Sequence, residues 1–230
     1  LRVAVIPALD EAGSVGAVVD GLRPLVDAVV VVDNGSRDET AAVAASHGAL
    51  VEREPRRGYG AACLRGMARA AALGASVVIF LDADGSDDPA DLPRLLAAID
   101  AGADLALGVR TRQTTEPGAM TGTQRFGNWF APLLMRIAVG ARYRDMPPFK
   151  AIRRAALERL ALSDTGHGFT VELLLRAHRE GLQVAQVPVR CRARSAGESK
   201  VSGTLRGTAR AAAKIIVTVA RHALPAPPRR

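Results

Sequence analysis

The chain has 230 residues, 48% of them hydrophobic, which suits one large domain with its own core or a domain plus an appendage. Its two cysteines, Cys63 and Cys191, lie far apart and match no metal-ligand spacing, so no disulfide framework is expected and a reduced, intracellular setting is. Net charge is +8, and from Arg190 onward ten Lys/Arg face the single acid Glu198; with 3% aromatic residues and no Arg–aromatic interleaving, this tail points to phosphates or an anionic membrane surface rather than nucleic acid.

In chain order, Val3 to Ile6 reads as a first strand closed by Pro7. Asp10 and Glu11 follow in a loop, and Ser14 is the expected N-cap of a helix reaching about Leu25. Ala28 to Val32 is an apolar run that reads as a strand buried on both faces, and it ends in Asp33-Asn34-Gly35-Ser36-Arg37-Asp38-Glu39-Thr40 before a helix over Ala41 to His47. Strand, polar loop and helix thus occur twice, which predicts a parallel sheet with crossovers. Arg56-Arg57-Gly58-Tyr59-Gly60 then opens a helix to about Leu73, with phosphate or sugar contact and a plain tight turn as the alternative duties of its glycines.

Val77 to Leu81 is a buried strand that ends abruptly in Asp82-Ala83-Asp84-Gly85-Ser86-Asp87-Asp88-Pro89. Asp82 and Asp84 share a face of extended backbone. Carboxylates there are costly unless paired or bound to a cation, so a Mg²⁺ or Mn²⁺ site holding a phosphorylated ligand is expected; a solvated acidic turn is the alternative. In a parallel sheet Asp10/Glu11, Asp33 and Asp82/Asp84 gather on the rim at the carboxyl ends of the strands, where ligands bind.

Pro89 to Ala101 reads as a helix and Ala103 to Val109 as a strand ending at Arg110, with a mobile loop over Thr111 to Thr123. A helix over Gln124 to Val139 carries Phe126, Trp129, Phe130, Leu133 and Leu134 on its apolar side, expected in the core, with a lipid-facing groove as the alternative. Met146 to Arg153 reads as a short strand approach, a helix starts at about Arg154, Thr170 to Glu180 is another, and Val184 to Cys191, interrupted by Pro188, is an edge strand. Thr204 to Leu224 reads as a basic amphipathic helix that either lies on an anionic membrane or docks on the domain. No apolar run is long enough to span a bilayer, and the N-terminus enters a strand without a signal-peptide pattern, so a cytoplasmic protein, free or peripheral on the cytoplasmic membrane face, is expected.

Pro7-Ala8-Leu9-Asp10-Glu11, the Asp33 to Thr40 stretch and Asp82-Ala83-Asp84 together resemble glycosyltransferase family 2 with the GT-A fold. Arg56 to Ala62, Pro148-Phe149-Lys150-Ala151-Ile152-Arg153 and Gly197-Glu198-Ser199-Lys200 are similar to its dolichol-phosphate-mannose-synthase-like, polyprenyl-phosphate branch. The resemblance implies a Rossmann-like, mainly parallel sheet flanked by helices over residues 1–203, with a nucleotide-sugar half (1–112), an acceptor half (113–203) and a C-terminal appendage (204–230). It implies a UDP- or GDP-sugar donor, a divalent cation, and inverting transfer to a phosphorylated acceptor such as a polyprenyl phosphate, or to a soluble one.

Carried over by motif, Pro7, Glu11 and Asp33 would hold base and ribose, Asp82 and Asp84 the cation on the diphosphate, and Leu9, Gly58 and Ala83 would also contact the donor. Arg194 and Lys200 would clamp donor phosphates, and Arg110 and Arg125 would receive the acceptor phosphate. An ionised phosphate attacks unaided; a hydroxyl needs a base, for which Asp145, Glu172 and His167 are candidates. The sequence departs from the family with Asp10 where Asn is frequent, Ser86 where Gln is, and Lys150 where Arg is. Two alternatives stand beside this reading. One is a haloacid-dehalogenase-like phosphatase with Asp82 as nucleophile and Asp84 as acid/base, which leaves the earlier acidic loops unexplained; the other is a non-catalytic binding module.

Overall fold

The computed structural model describes residues 1–194 and 215–220. Valine-rich segments and short helices alternate through the first half: β1 (Arg2–Ala8), α1 (Val15–Leu22), β2 (Ala28–Asp33), α2 (Thr40–Ser46), β3 (Leu50–Arg53), α3 (Tyr59–Ala72), β4 (Val77–Phe80) and α4 (Leu92–Asp100). β5 (Leu105–Thr115), α5 (Gly122–Val139), β6 (Lys150–Arg153), α6 (Arg154–Arg159), α7 (Phe169–Arg179) and β7 (Val184–Cys191) complete the chain order. The strands form one seven-stranded sheet in the order β3-β2-β1-β4-β6-β5-β7. All neighbours are parallel except β6, which runs antiparallel to both β4 and β5.

Continuous apolar strands demand cover on both faces, and they receive it. Val3, Val5, Val30, Val32, Val78 and Phe80 pack with residues of α3, α6 and α7 on one side, while Ala4, Ile6, Val29, Val31 and Ile79 pack with α1, α2 and α4 on the other. The period of two in these lists is the pleat itself. Each fully buried Val, Ile or Phe here contributes about 1.5–3 kcal/mol, so the sheet centre is a stiff platform for the loops on its rim. Gly66 lets α3 lie directly on β1, since a Cβ there would come within 2.2 Å of the Val5 side chain.

Several boundaries differ from the sequence reading for identifiable reasons. β1 runs through Pro7: pairing with β4 has ended at Val5, so the missing N–H breaks no ladder on that side. α1 stops at Leu22, with Arg23 still in helical backbone as its C-cap, because Pro24 has no N–H to continue the ladder. Ser14 makes no side-chain cap; its hydroxyl donates to the Glu11 carboxylate at 3.1 Å instead. Pro89–Asp91 is a separate 3-10 turn, begun by Asp88 accepting the Ala90 N–H at 3.1 Å. β5 continues to Thr115, because β7 offers it a parallel partner as far as Cys191, so Thr111 to Thr115 is strand rather than loop.

The largest correction concerns α5. Its start is fixed by a capping box between Thr121 and Gln124, and its end by Gly140 in the left-handed region. Yet Phe126 (55% exposed) and Trp129 (60% exposed) stand in solvent rather than in the core. Ala131, Pro132 and Met135 form the buried side instead. At the C-terminal end, 215–220 is helical, with Val219 in the core and Ile216 and Val217 exposed. The remainder of the expected basic helix, the Gly197 to Lys200 motif and Lys200 itself lie outside the described residues. No helix among the described residues is long and apolar enough to cross a membrane.

Candidate active site

At the carboxyl ends of the parallel strands lies a cavity of about 450 Å³. The loops after β1, β2 and β4 meet there with the start of α3, as the rule for open parallel sheets requires. Pro7, Leu9, Glu11, Gly58, Asp82, Ala83, Asp84 and Arg194 all line it, which brings together most of the residues singled out in the sequence. Asp33 does not: its Oδ1 accepts the Ser36 N–H at 2.9 Å and shapes the turn, and Asn34 takes the place on the wall. Asn34 also ties the rim together, since its amide donates to the carbonyls of Glu54 and Arg56, both at 2.9 Å, and its Oδ1 accepts the Gly58 N–H at 2.8 Å.

Cross-loop hydrogen bonds fix the first two acidic loops against each other. Glu11 N–H donates to Thr40 Oγ1 at 2.8 Å, Ala12 N–H to Asp38 Oδ2 at 3.1 Å, and Arg37 N–H to Asp10 Oδ1 at 2.8 Å. Asp10 adopts a positive φ of 53° to allow this, a conformation that Asp tolerates better than most residues.

The glycines before α3 serve packing rather than a phosphate nest. A Cβ on Gly58 or Gly60 would come within 2.1 and 2.0 Å of the carbonyl oxygens of Thr165 and Asp164. The N–H groups of Gly60 and Ala61 donate to Gly166 (3.2 Å) and Thr165 (2.9 Å), so the helix start is already satisfied. That loop is in turn held by Glu172, whose carboxylate accepts the N–H groups of Ser163 (3.0 Å) and Asp164 (2.7 Å) and pairs with Arg176 at 2.9 Å. Glu172 is therefore a structural anchor, not a base.

Arg110 and Asp145 neutralise each other. Arg110 Nε and Nη2 make a bidentate pair with the Asp145 oxygens at 2.7 and 2.9 Å, both side chains being mostly buried, and neither residue lines the cavity. Asp145 is thus occupied as an arginine partner, and Arg125 sits exposed on the first turn of α5, away from the cavity wall. Among the three candidate bases only His167 faces the cavity, and burial lowers its pKa below the ordinary histidine value. Tyr59, part of the Arg56 to Ala62 motif but given no duty there, is on the wall, and so is Gln124, which joins α5 to the site and needed the tertiary arrangement to be found.

The acidic pair after β4 is electrostatically unfinished. Asp82 Oδ1 is buried without a hydrogen-bond partner, and burial together with the charge of Asp84 pushes its pKa up to about 7. Asp87, which with Asp88 reads in the sequence as a helix start before Pro89, is buried with an unpartnered Oδ2, and burial pushes its pKa up to about 8. Hard carboxylate oxygens with buried, unsatisfied lone pairs fit a Mg²⁺ or Mn²⁺ ion. Among the described residues no group of three His, Cys, Asp or Glu is arranged as a metal site, so Asp82 and Asp84 fit a cation whose remaining ligands come with a substrate.

A mainly parallel sheet with this rim and paired aspartates defines a GT-A-type glycosyltransferase, and the structural neighbours agree. The glucosyl-3-phosphoglycerate synthase of Mycobacterium tuberculosis, solved with Mn²⁺ and uridine-diphosphate-glucose, superposes with a TM-score of 0.75 at 26% identity, covering 96% of this chain and 78% of that one. The model of glycosyl transferase family 2 matches residues 3–161, and the chain belongs to that family. An uncharacterized glycosyltransferase of M. tuberculosis is 40% identical over 204 residues, spanning 89% of this chain and 91% of its own length. The undecaprenyl-phosphate mannosyltransferase of Micrococcus luteus is 31% identical over 234 residues, 96% of this chain and 93% of its own. The phosphatase alternative is thereby overturned.

Proposed function

We propose that this glycosyltransferase moves a hexose from a UDP- or GDP-sugar to a polyprenyl phosphate at a membrane surface. The observation that carries the donor side is the convergence of Glu11, Asn34 and the Asp82/Asp84 pair on one cavity. Pro7, Leu9 and Glu11 would hold base and ribose, while Asp82 and Asp84 would hold the Mg²⁺ or Mn²⁺. When bound, that cation neutralises the charge growing on the departing nucleoside diphosphate. Arg194 adds a second positive charge from the end of β7.

An acceptor phosphate is already ionised. Its oxygen forms the new bond to the anomeric carbon as the bond to the diphosphate breaks, with inversion and with no proton to remove, which agrees with Asp145 and Glu172 both being engaged elsewhere.

The exposed face of α5 favours a lipid over a soluble acceptor. Phe126, Trp129, Phe130, Leu133 and Ile137 recur at helical spacing, and the helix holds Arg125 and Arg136 but no acid. Three of the eight aromatic residues in the chain thus sit on one solvent-facing helix that begins at the cavity through Gln124. Aromatic rings flanked by arginines suit the headgroup level of an anionic bilayer. The soluble-acceptor reading draws on the glucosyl-3-phosphoglycerate synthase neighbour. Radiolabelled UDP- and GDP-sugars, Mn²⁺ and vesicles containing polyprenyl phosphate separate the two. Label is expected in the lipid fraction; transfer only to a water-soluble phosphate such as phosphoglycerate would overturn the lipid assignment.

A further inference from the structure

The end of β7 and the residues just after it carry arginines at every second position, Arg190, Arg192 and Arg194, and each meets the acidic loop that follows β4. Arg190 pairs with Asp88 at 3.0 Å and Asp91 at 3.3 Å. Arg192 pairs with Asp88 at 2.5 Å, and its N–H donates to the Ser86 carbonyl at 2.8 Å. Asp88 and Asp91 do not line the cavity, so these two rungs fasten the strand end to the loop.

The third rung is different. Arg194 Nη1 reaches Glu11 Oε1 at 2.6 Å and Nη2 reaches Asp84 Oδ2 at 3.0 Å, bridging two cavity carboxylates. The side chains are 25%, 8% and 13% exposed respectively, so the contacts are weakly screened. The other oxygen of Asp84, Oδ1, already accepts the Ser86 N–H at 2.9 Å. Both oxygens of Asp84 therefore have donors, and a cation that ligates Oδ2 meets a guanidinium already seated there.

We propose that Arg194 is an exchangeable internal counter-ion, so that a divalent cation enters only together with a diphosphate. A free cation must break the Arg194–Asp84 pair and leave Nη2 without that acceptor beside a second positive charge, with only Nη1 still held by Glu11. A cation that arrives on a nucleoside diphosphate brings the anionic oxygens that receive the displaced guanidinium. Metal and nucleotide binding are then coupled through one side chain, and the cavity keeps its charge balanced while empty. This inference rests on the reading that Asp82 and Asp84 hold the cation–diphosphate.

The test is Mn²⁺ binding followed by electron paramagnetic resonance, with and without UDP or GDP, in the wild type, Arg194→Met, Arg194→Lys and Arg192→Met. Arg194→Met is expected to bind free Mn²⁺ about tenfold more tightly than the wild type, inside the roughly 5–150-fold range of coupled sites, and to gain less from added nucleotide. Arg194→Lys, which keeps a charge but reaches one carboxylate at a time, is expected between the two and covers the case in which the methionine variant misfolds. Arg192→Met is expected to leave free Mn²⁺ affinity unchanged. Free Mn²⁺ affinity that is equal or weaker in both Arg194 variants overturns the exchange, provided the wild type binds Mn²⁺ with nucleotide. If the wild type binds no Mn²⁺ with either nucleotide, the cation–diphosphate reading itself falls, and the exchange with it.

Discussion

The rim above β1, β2 and β4 and the surface formed by α5 obey opposite rules. On the rim, backbone and side-chain donors are matched across loops, from Thr40 on Glu11 to Asn34 on Gly58, and the unfinished groups are the carboxylates Asp82 and Asp87. On α5, the unfinished groups are apolar: Trp129 and Ile137 are 60% and 74% exposed. One region presents carboxylates and the other apolar rings. That contrast is what a transferase needs when its donor is soluble and its acceptor is lipid-borne: a rigid polar cradle for one and a sticky approach surface for the other.

The contrast breaks hardest at Asp84. Asp84→Ala is expected to reduce transfer by about a hundred- to a thousandfold, because stabilisation of the leaving diphosphate is lost. Its melting temperature should stay near that of the wild type, since the residue sits on the rim rather than in the core. Steady-state rates and thermal melts on one preparation check both halves, and wild-type turnover would sink the cation assignment.

Arg110→Ala tests whether that pair is scaffold rather than acceptor site. It leaves Asp145 buried and unpaired, with an expected cost of about 3–5 kcal/mol in denaturant unfolding. A stable variant with a raised acceptor KM would instead restore Arg110 to the acceptor role.

Replacing Phe126, Trp129 and Phe130 together by serine is expected to weaken binding to anionic vesicles about tenfold or more, as apolar burial of roughly 25 cal/mol per Å² is forfeited. Stability and nucleotide binding should not change. Flotation with vesicles reads the first, and loss of fold would show instead that these rings are core.

A further test of the contrast concerns pH. Asp87 carries a native pKa of about 8 against 3.8 as its ordinary value, so the native state holds an extra proton between those limits and stability falls as pH rises through them. Asp87→Asn removes that dependence, so its melting temperature relative to the wild type is expected to climb from about pH 5 to about pH 8. A difference that is flat with pH would mean that Asp87 is ionised throughout.

The donor half was largely legible because its signals are local. An apolar run that stops in carboxylates states both a buried strand and the end of it, and three such runs in parallel place Glu11 and Asp82/Asp84 on one rim. The duties of Asp145 and the α3 glycines were not legible, since each depends on a partner far along the chain, Asp145 on Arg110 across 35 positions for example, while that of Glu172 depends on how the loop before α7 folds back onto it. The α5 aromatics misled for another reason. A helical apolar stripe fixes which residues share a face and says nothing about what that face meets.

By itself, then, the sequence determined the strand–loop–helix rhythm and the acidic rim, because periodicity and the end of an apolar run act over a few residues, and it carried the motifs by which it resembles its family. Only the tertiary structure decided that β6 enters antiparallel between β4 and β5, that Arg194 seats on Asp84, and that α5 turns its rings outward. Those outcomes are set by which surfaces are left to pair after the local elements have formed, a competition among distant partners that no short window contains.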